Sequence, residues 1–393
     1  MVIVHVIGHF QPELGYKEFF LAKHQARLGH QVHVVTSDRI YPFPNIEAIS
    51  AQLGLPSTRR RPVGVSVQDG FTVHRLPTWF EFGTAIMVKG LAKTIRQIEA
   101  DVMIVHGPVH VLPALAMRYA SKKTVTIVED QQFQLPHTLR GRIFYRLIGR
   151  WLCQSAYNRA NVINFVTPQT EEFARRRYRL PNVHFSRISL GFDPDVFFPM
   201  PAERVALRQQ HAIPELTCVF LTAGKIQRGK KYELLIQAFA QLPATNAAEL
   251  WIVGGGDAQY IAELQGLARK YQVADRVHWH DLVPPAELAR WYNMADVGLW
   301  VDWPSITILE AIGCGLPVIV ADRPTMSHLV RFGNGLTFTP NSQPDLTQVM
   351  ERVLSTPTRT SLRSKTAVAG ETFSYRHLAQ EFIDVASLVR ESK

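Results

Sequence analysis

Cysteine is scarce in this chain of 393 residues: Cys153, Cys218 and Cys314 stand alone and far apart. They offer neither a disulfide framework nor a CxxC metal pair, so a reducing compartment, the cytoplasm, is expected. No uncharged apolar window reaches 18 residues, so no segment is expected to span a membrane. The opening MVIVHVIGHF lacks a basic lead-in and carries His5 and His9 among its apolar residues. It reads as a buried strand and not as a secretory signal. After that strand stands GHFQPELGYKE, without the pattern GxGxxG, which argues against a nicotinamide or flavin dinucleotide fold. A basic helix–turn–helix and an aromatic ribonucleoprotein pattern are also missing, so no nucleic acid is expected as partner.

What is present is an ordinary globular composition, 46% hydrophobic and 19% charged. The net charge of +10 is unevenly spread. Residues 1–193 hold 24 Lys and Arg against 13 Asp and Glu, an excess of 11 positive charges, while the remainder holds 19 against 20. Charge alone suits something anionic, phospholipid headgroups, a phosphorylated substrate or nucleic acid, and the missing motifs set the last aside.

Short β-branched runs alternate with amphipathic segments. MVIVHVIG, HQVHVVTS, FTVHRLP, ADVMIVHG, KTVTIVED and VINFVTP predict strands, with helices over 16–28 and 85–98 among them. After a proline-rich stretch near 194–215 the pattern restarts with CVFLTAG, AELWIVGGG, RVHWHDL, VGLWV and LPVIVAD. Apolar strands alternating with helices argue parallel sheets covered on both faces. The expected architecture is α/β, with two doubly wound Rossmann-like domains, residues 1–193 and 194–372.

Ligands of such sheets bind beyond the carboxyl ends of the strands. There the sequence places Gly15 at a helix start, Gly224 and Lys225 followed by Lys230 and Lys231, and the glycine turn VGGGD at 253–257. Cations ahead of a helix N-terminus suit a diphosphate, although a solvated lysine cluster would look the same. The segment DWPSITILEAIGCGLPVIVAD, 302–322, sets Asp302 at a strand end and Glu310 inside an apolar helix that Ser305 or Thr307 can cap. A buried carboxylate needs partners, and sugar hydroxyls can supply them. Together these residues describe a nucleotide-sugar site.

Several of these stretches, in order, resemble the motifs of family 4 glycosyltransferases. QPELGYKE is similar to P-x-x-G-G-x-E, SLGFDPDVFFP to nGvDxxxFxP, GKIQRGKKYELLIQAF to G-R-L-x-x-x-K-G…A-F, and 302–322 to the E-x7-E block with its G-x-P-V-I tail. The resemblance, which covers essentially the whole chain, implies a GT-B fold: two Rossmann-like domains facing a cleft, with a C-terminal helix, 373–393, crossing back to the first. It implies a retaining hexosyltransferase using UDP- or GDP-sugar, with the acceptor bound by the first domain and the donor by the second.

On that resemblance Lys225 and Lys230 neutralise the leaving diphosphate, and Glu310 holds the ribose hydroxyls. Asp302 meets the transferred sugar beside the backbone of Ser305, Ile306 and Thr307. Gly15 approaches the diphosphate, and Gly254 and Leu282 flank the base. No metal and no other cofactor are expected. DPD at 193–195 matches DxD but lies inside another motif. The sequence departs from the family at Asp302, where Glu is usual, at Lys231, where Gly is usual, and at Glu129-Asp130, where His-Asp is common. Glu129 and Asp130 are the expected acceptor-side residues, with His106 or His110 taking the vacant histidine role.

Segment 138–157 reads as a helix with Arg142, Arg146 and Arg150 in one stripe and Phe144, Leu147, Ile148, Trp151 and Leu152 on other faces. A basic, aromatic-bearing helix suits an anionic membrane surface. The bland alternative is that its apolar face serves the core and the arginines are wet. The membrane reading makes the protein peripheral on the inner face and the acceptor lipid-linked or membrane-proximal, as in polysaccharide or glycolipid assembly. Alternatives are a soluble transferase with a small-molecule acceptor, a nucleotide-sugar epimerase, and a non-catalytic module that binds an anionic ligand.

Overall fold

The computed structural model describes residues 1–42, 58–82, 85–136, 138–243 and 247–392. The chain divides into a first domain, Met1–Ser189 with Tyr375–Lys393, and a second, Leu190–Ser374. The chain thus changes domain at 189–190 and again at 374–375, against the expected 193–194 and 372–373.

The first domain is built on an eight-stranded sheet in the order β10-β9-β8-β7-β1-β2-β4-β3. Its strands are β1 (Val2–Val6), β2 (Gln31–Ser37), β3 (Gly64–Gln68), β4 (Phe71–Leu76), β7 (Val102–His106), β8 (Val125–Asp130), β9 (Val162–Phe165) and β10 (His184–Ser186). Neighbours pair in parallel except β3 with β4. β1, β7, β8 and β9 are buried almost throughout, as expected when helices cover both faces. A separate antiparallel hairpin joins β5 (Thr78–Phe82) and β6 (Ala85–Val88).

Residues 85–98, expected as one helix, therefore begin as strand, Ala85–Val88, and the helix spans only Leu91–Ile98. Gly90, at φ 82°, separates the two. The run AIMV instead buries Ala85, Ile86 and Val88 beside Val111 and Leu91. Tertiary burial overrode a helical spacing.

The second domain carries a wholly parallel six-stranded sheet, β13-β12-β11-β14-β15-β16. Its strands are β11 (Cys218–Ala223), β12 (Ala248–Val253), β13 (Val277–His280), β14 (Val297–Trp300), β15 (Val318–Ala321) and β16 (Gly335–Phe338). Inside the proline-rich stretch expected to link the domains lies a helix, Pro201–Gln210. Proline at a first helical position costs nothing, since that N–H has no partner within the helix.

The last helix, Tyr375–Glu391, belongs to the first domain and packs on helix Lys17–Arg27. Leu378, Ala379, Phe382, Ile383 and Ala386 share a core cluster with Ile3, Phe10, Leu21 and Val34. Phe373, which the expected helix 373–393 included, is instead part of the second domain's core, and Leu388 on the helix is exposed.

Candidate functional site

In each sheet the strand order reverses direction at one point, and loops diverge there to leave a crevice. In the second domain that point lies between β11 and β14. The loop after β11 brings Gly224, Lys225 and Lys230; the loop after β14 brings Asp302 and leads into helix Ile306–Gly313. Thr307 ties the two loops together. Its Oγ1 donates to Ala223 O at 3.0 Å, accepts from Trp300 Nε1 at 3.0 Å, and lies 2.7 Å from Ser305 Oγ. Ser305 holds the N-cap position but its side chain makes no cap bond, so neither expected cap is present. The first N–H groups of that helix are left uncapped at its positive end.

Gly224, at φ 126°, floors this crevice. A Cβ there would meet Lys230 Nζ at 3.0 Å and Ser305 Oγ and Thr307 Oγ1 at 3.7 Å, so an ammonium and two hydroxyls converge on one spot. Burial and the neighbouring Lys225 lower the Lys230 pKa, and the site relieves that cost when an anion arrives. Glu310 sits one turn into the helix. Its Oε2 is shielded from solvent and finds no partner among the described residues, and burial pushes its carboxyl up to about 8. A buried carboxyl oxygen without a partner, protonated or not, can hydrogen-bond a hydroxyl brought to it.

Asp302 is already engaged: Arg323 Nη2 donates to its Oδ1 at 2.5 Å and Lys231 Nζ lies 3.6 Å away. Lys231 also donates to Asn341. The unusual Asp302 and Lys231 thus contact each other. Arg323, which reading the sequence missed, stands two residues beyond the end of β15, where strand-end reasoning would have found it. Gly254 has a packing reason: a Cβ there would lie 2.1 Å from Gly224 O. Leu282 is exposed and its Cβ faces Gly255.

In the first domain the reversal lies between β1 and β7. A cavity of about 400 Å³ opens there, lined by residues that include His9, Tyr16, His106, His110, Asp130 and Gln132. Asp130 is fully buried, and burial pushes its carboxyl up to about 6 against the hydrogen bond from the Tyr157 hydroxyl. Gly15, at φ 63°, ends the short helix Pro12–Leu14 beside Tyr16.

Glu129 does not line this cavity. It lies behind it, fully buried, accepting from Lys17 Nζ at 3.2 Å and 2.8 Å from His106 Nδ1. Burial opposes its charge, but the Lys17 ammonium and the His106 ring hold it down to about 2. The other His106 nitrogen lies 3.0 Å from His5 Nδ1, so both ring nitrogens of His106 are occupied. Glu129 and His106 therefore form an internal frame, continued through His5 to Gln25. His9 Nε2 has no hydrogen-bond partner among the described residues and lies 4.0 Å from Glu81 Oε1; burial lowers His9 to about 4. His110 is also lowered by burial.

Two family models match the chain almost end to end: Glycosyltransferase Family 4 over residues 19–196 and Glycosyl transferases group 1 over residues 203–371. The chain belongs to the group 1, family 4 glycosyltransferases. This glycosyltransferase is 26% identical, over 75% of its length and 78% of the relative's, to a GDP-mannose-dependent alpha-(1-6)-phosphatidylinositol monomannoside mannosyltransferase of Mycolicibacterium smegmatis. It is 35% identical to a D-inositol 3-phosphate glycosyltransferase of Xylanimonas cellulosilytica, but over only 39% of each chain. Its fold is that of the Anabaena protein Alr3699/HepE, solved in complex with UDP-glucose: TM-score 0.67, 18% identity, 99% of this chain and 100% of that one. The glycosyltransferase therefore has the GT-B fold. Among its described residues no helix is long and apolar enough to cross a membrane.

Proposed function

We propose that this glycosyltransferase retains anomeric configuration and moves a hexosyl group from a UDP- or GDP-sugar to a lipid-linked or membrane-proximal acceptor, in polysaccharide or glycolipid assembly at the cytoplasmic face of a membrane. The observation that carries this reading is the convergence of Lys230, Ser305 and Thr307 over Gly224, beside the unpartnered Glu310. That set matches a diphosphate and a vicinal diol.

In this reading Lys225 and Lys230 take up the charge that develops as the bond between sugar C1 and the phosphate oxygen breaks. The acceptor oxygen bonds C1 on the same face, and its proton passes to the departing phosphate oxygen. Glu310 accepts from the ribose hydroxyls. Asp302, oriented by Arg323, meets the sugar with the backbone of Ser305, Ile306 and Thr307. Gly15 approaches the diphosphate; Gly254 and Leu282 flank the base. The first-domain cavity takes the acceptor, with Asp130 on its wall. Because two lysines supply the positive charge, no divalent metal is required.

The relative named for phosphatidylinositol monomannoside supports a lipid acceptor. The relative named for D-inositol 3-phosphate supports a second reading, a small soluble acceptor. A panel of UDP- and GDP-sugars, with hydrolysis and transfer followed by NMR, tests the reading. The expected result is release of the α-anomer from an α-linked donor, undiminished by EDTA. An inverted product or a metal requirement would overturn the mechanism, and hydrolysis of no donor would overturn the activity.

A further inference from the structure

One face of the first domain exposes apolar side chains that no part of the described chain covers. Residues 139–157 run through helix Leu139–Phe144, a π-helical turn Tyr145–Gly149 and helix Arg150–Tyr157. Leu139 is 74%, Leu147 71% and Trp151 60% exposed, and Ile143 and Ile148 are exposed with them. The π turn carries an extra residue, so Leu147 and Ile148 both face water while Leu152 and Cys153 are buried. Much of the apolar face that the bland alternative gave to the core is thus outside. The hairpin β5–β6 exposes Trp79, Phe80 and Phe82 in the same way. Both elements pack on helix Val111–Ala116: Ala85 of the hairpin and Leu152 share one cluster with Val111 and Ala114. The two sets of exposed side chains flank one helix.

Beside the stripe lies a second cavity of about 400 Å³, lined by residues that include Tyr145, Arg150, Phe173, Arg176 and Arg177. Glu172 pairs with Arg176. Arg177 lies over the Phe173 ring, 5.2 Å from its centroid. Among the described residues no acid pairs with Arg146, Arg150 or Arg177, so the cavity keeps an excess of positive charge. Monomers in water rarely leave such a contiguous apolar face open, and an apolar face edged by arginines fits the boundary between headgroups and acyl chains.

We propose that this face docks on an anionic phospholipid bilayer, with Leu139, Leu147, Trp151 and the hairpin rings at the acyl boundary and a lipid phosphate in the cavity of Arg150, Arg176 and Arg177. Charge complementarity selects this occupant: the stripe is bordered by Arg142, Arg146 and Arg150, inside the half of the chain that holds the whole excess of positive charge. The docking deepens the membrane-proximal reading of the acceptor and is tested apart from it.

The full chain is sedimented with vesicles of phosphatidylcholine alone and of phosphatidylcholine with 30% phosphatidylglycerol, while donor hydrolysis is measured without vesicles. Wild type is expected to bind the anionic vesicles, at least tenfold better than the neutral ones at low salt. Leu147→Ser with Trp151→Ser is expected to lower that binding tenfold or more. Arg150→Glu with Arg177→Glu is expected to abolish the preference for anionic lipid. All these positions lie away from the donor site, so hydrolysis and melting temperature stay unchanged. Wild type that ignores anionic vesicles, or a serine variant that binds as wild type does, overturns the docking. Equal binding to both vesicle types overturns the phosphate site. A concentration-dependent dimer that Trp151→Ser dissolves would show that a second copy occupies the face instead. Loss of hydrolysis in wild type would sink the catalytic reading alone.

Discussion

Glu310 is a carboxyl held mostly protonated at neutral pH by its surroundings, at about 8 against an ordinary 4.5. A folded-state value raised in this way favours the fold while the group is protonated. The contribution is complete below about 4.5 and is lost as pH rises through about 8. Without ligand, the melting temperature of wild type is therefore expected to fall more between pH 5 and 8.5 than that of Glu310→Gln. With donor the order reverses. The carboxylate accepts charge-assisted hydrogen bonds worth about 1.5–3 kcal/mol, so Glu310→Gln should weaken nucleotide binding roughly 10- to 100-fold at pH 8.5 and less at pH 6.5. Calorimetric titration at both values checks this; equal affinities would remove Glu310 from the ribose. Lys230 differs in kind, because its charge counts most when the diphosphate leaves. Lys230→Ala is expected to lower kcat about 10²- to 10³-fold with a smaller change in donor KM, by steady-state kinetics.

Helix Tyr375–Glu391 follows the second domain in the chain yet completes the core of the first. Its inward face follows the four-residue spacing of Leu378, Phe382 and Ala386. Which domain it joins was carried by resemblance alone, since an amphipathic stripe does not name its partner. Phe382→Ala removes a ring buried among Ile3, Leu21 and Tyr375 and should cost the first domain about 3–5 kcal/mol, read from denaturant unfolding of the full chain. Helix Ile306–Gly313 shows the opposite balance. Its place was clear from Asp302 through Gly313, but its fixing by Thr307 on Ala223 O joins residues 84 positions apart. No local pattern signals such a bond.

At the scale of the molecule, each large sheet is packed in the core of its own domain, and the Lys230, Ser305, Thr307 and Glu310 cluster comes from the second domain alone. A nucleotide bound between β11 and β14 should therefore stabilise the second domain directly. Scanning calorimetry of the full chain with UDP or GDP at about 100 times its Kd should raise the transition of that domain by about 2.7 kcal/mol. Phe382→Ala should lower the other transition. If the nucleotide raised only the transition that Phe382→Ala lowers, the donor site would have been placed in the wrong domain.

The sequence by itself determined the strands that build both switch points, the order of the motifs, and the residues at strand ends, because parallel strands are apolar runs and their carboxyl ends are marked by glycine and charge. It also located Lys225, Lys230 and Glu310, each on a recognisable turn or helix. Only the tertiary structure decided which of these groups are free. It withdrew Glu129 behind the cavity onto Lys17, occupied both nitrogens of His106, and set Arg323 on Asp302. It split 85–98 into strand and helix, and it turned Leu147 and Trp151 outward where the sequence left both a core and a surface reading open. The physical reason is the same in each case. Periodicity and residue type report what a segment prefers locally, whereas charge pairing and burial depend on neighbours that only the folded chain brings near.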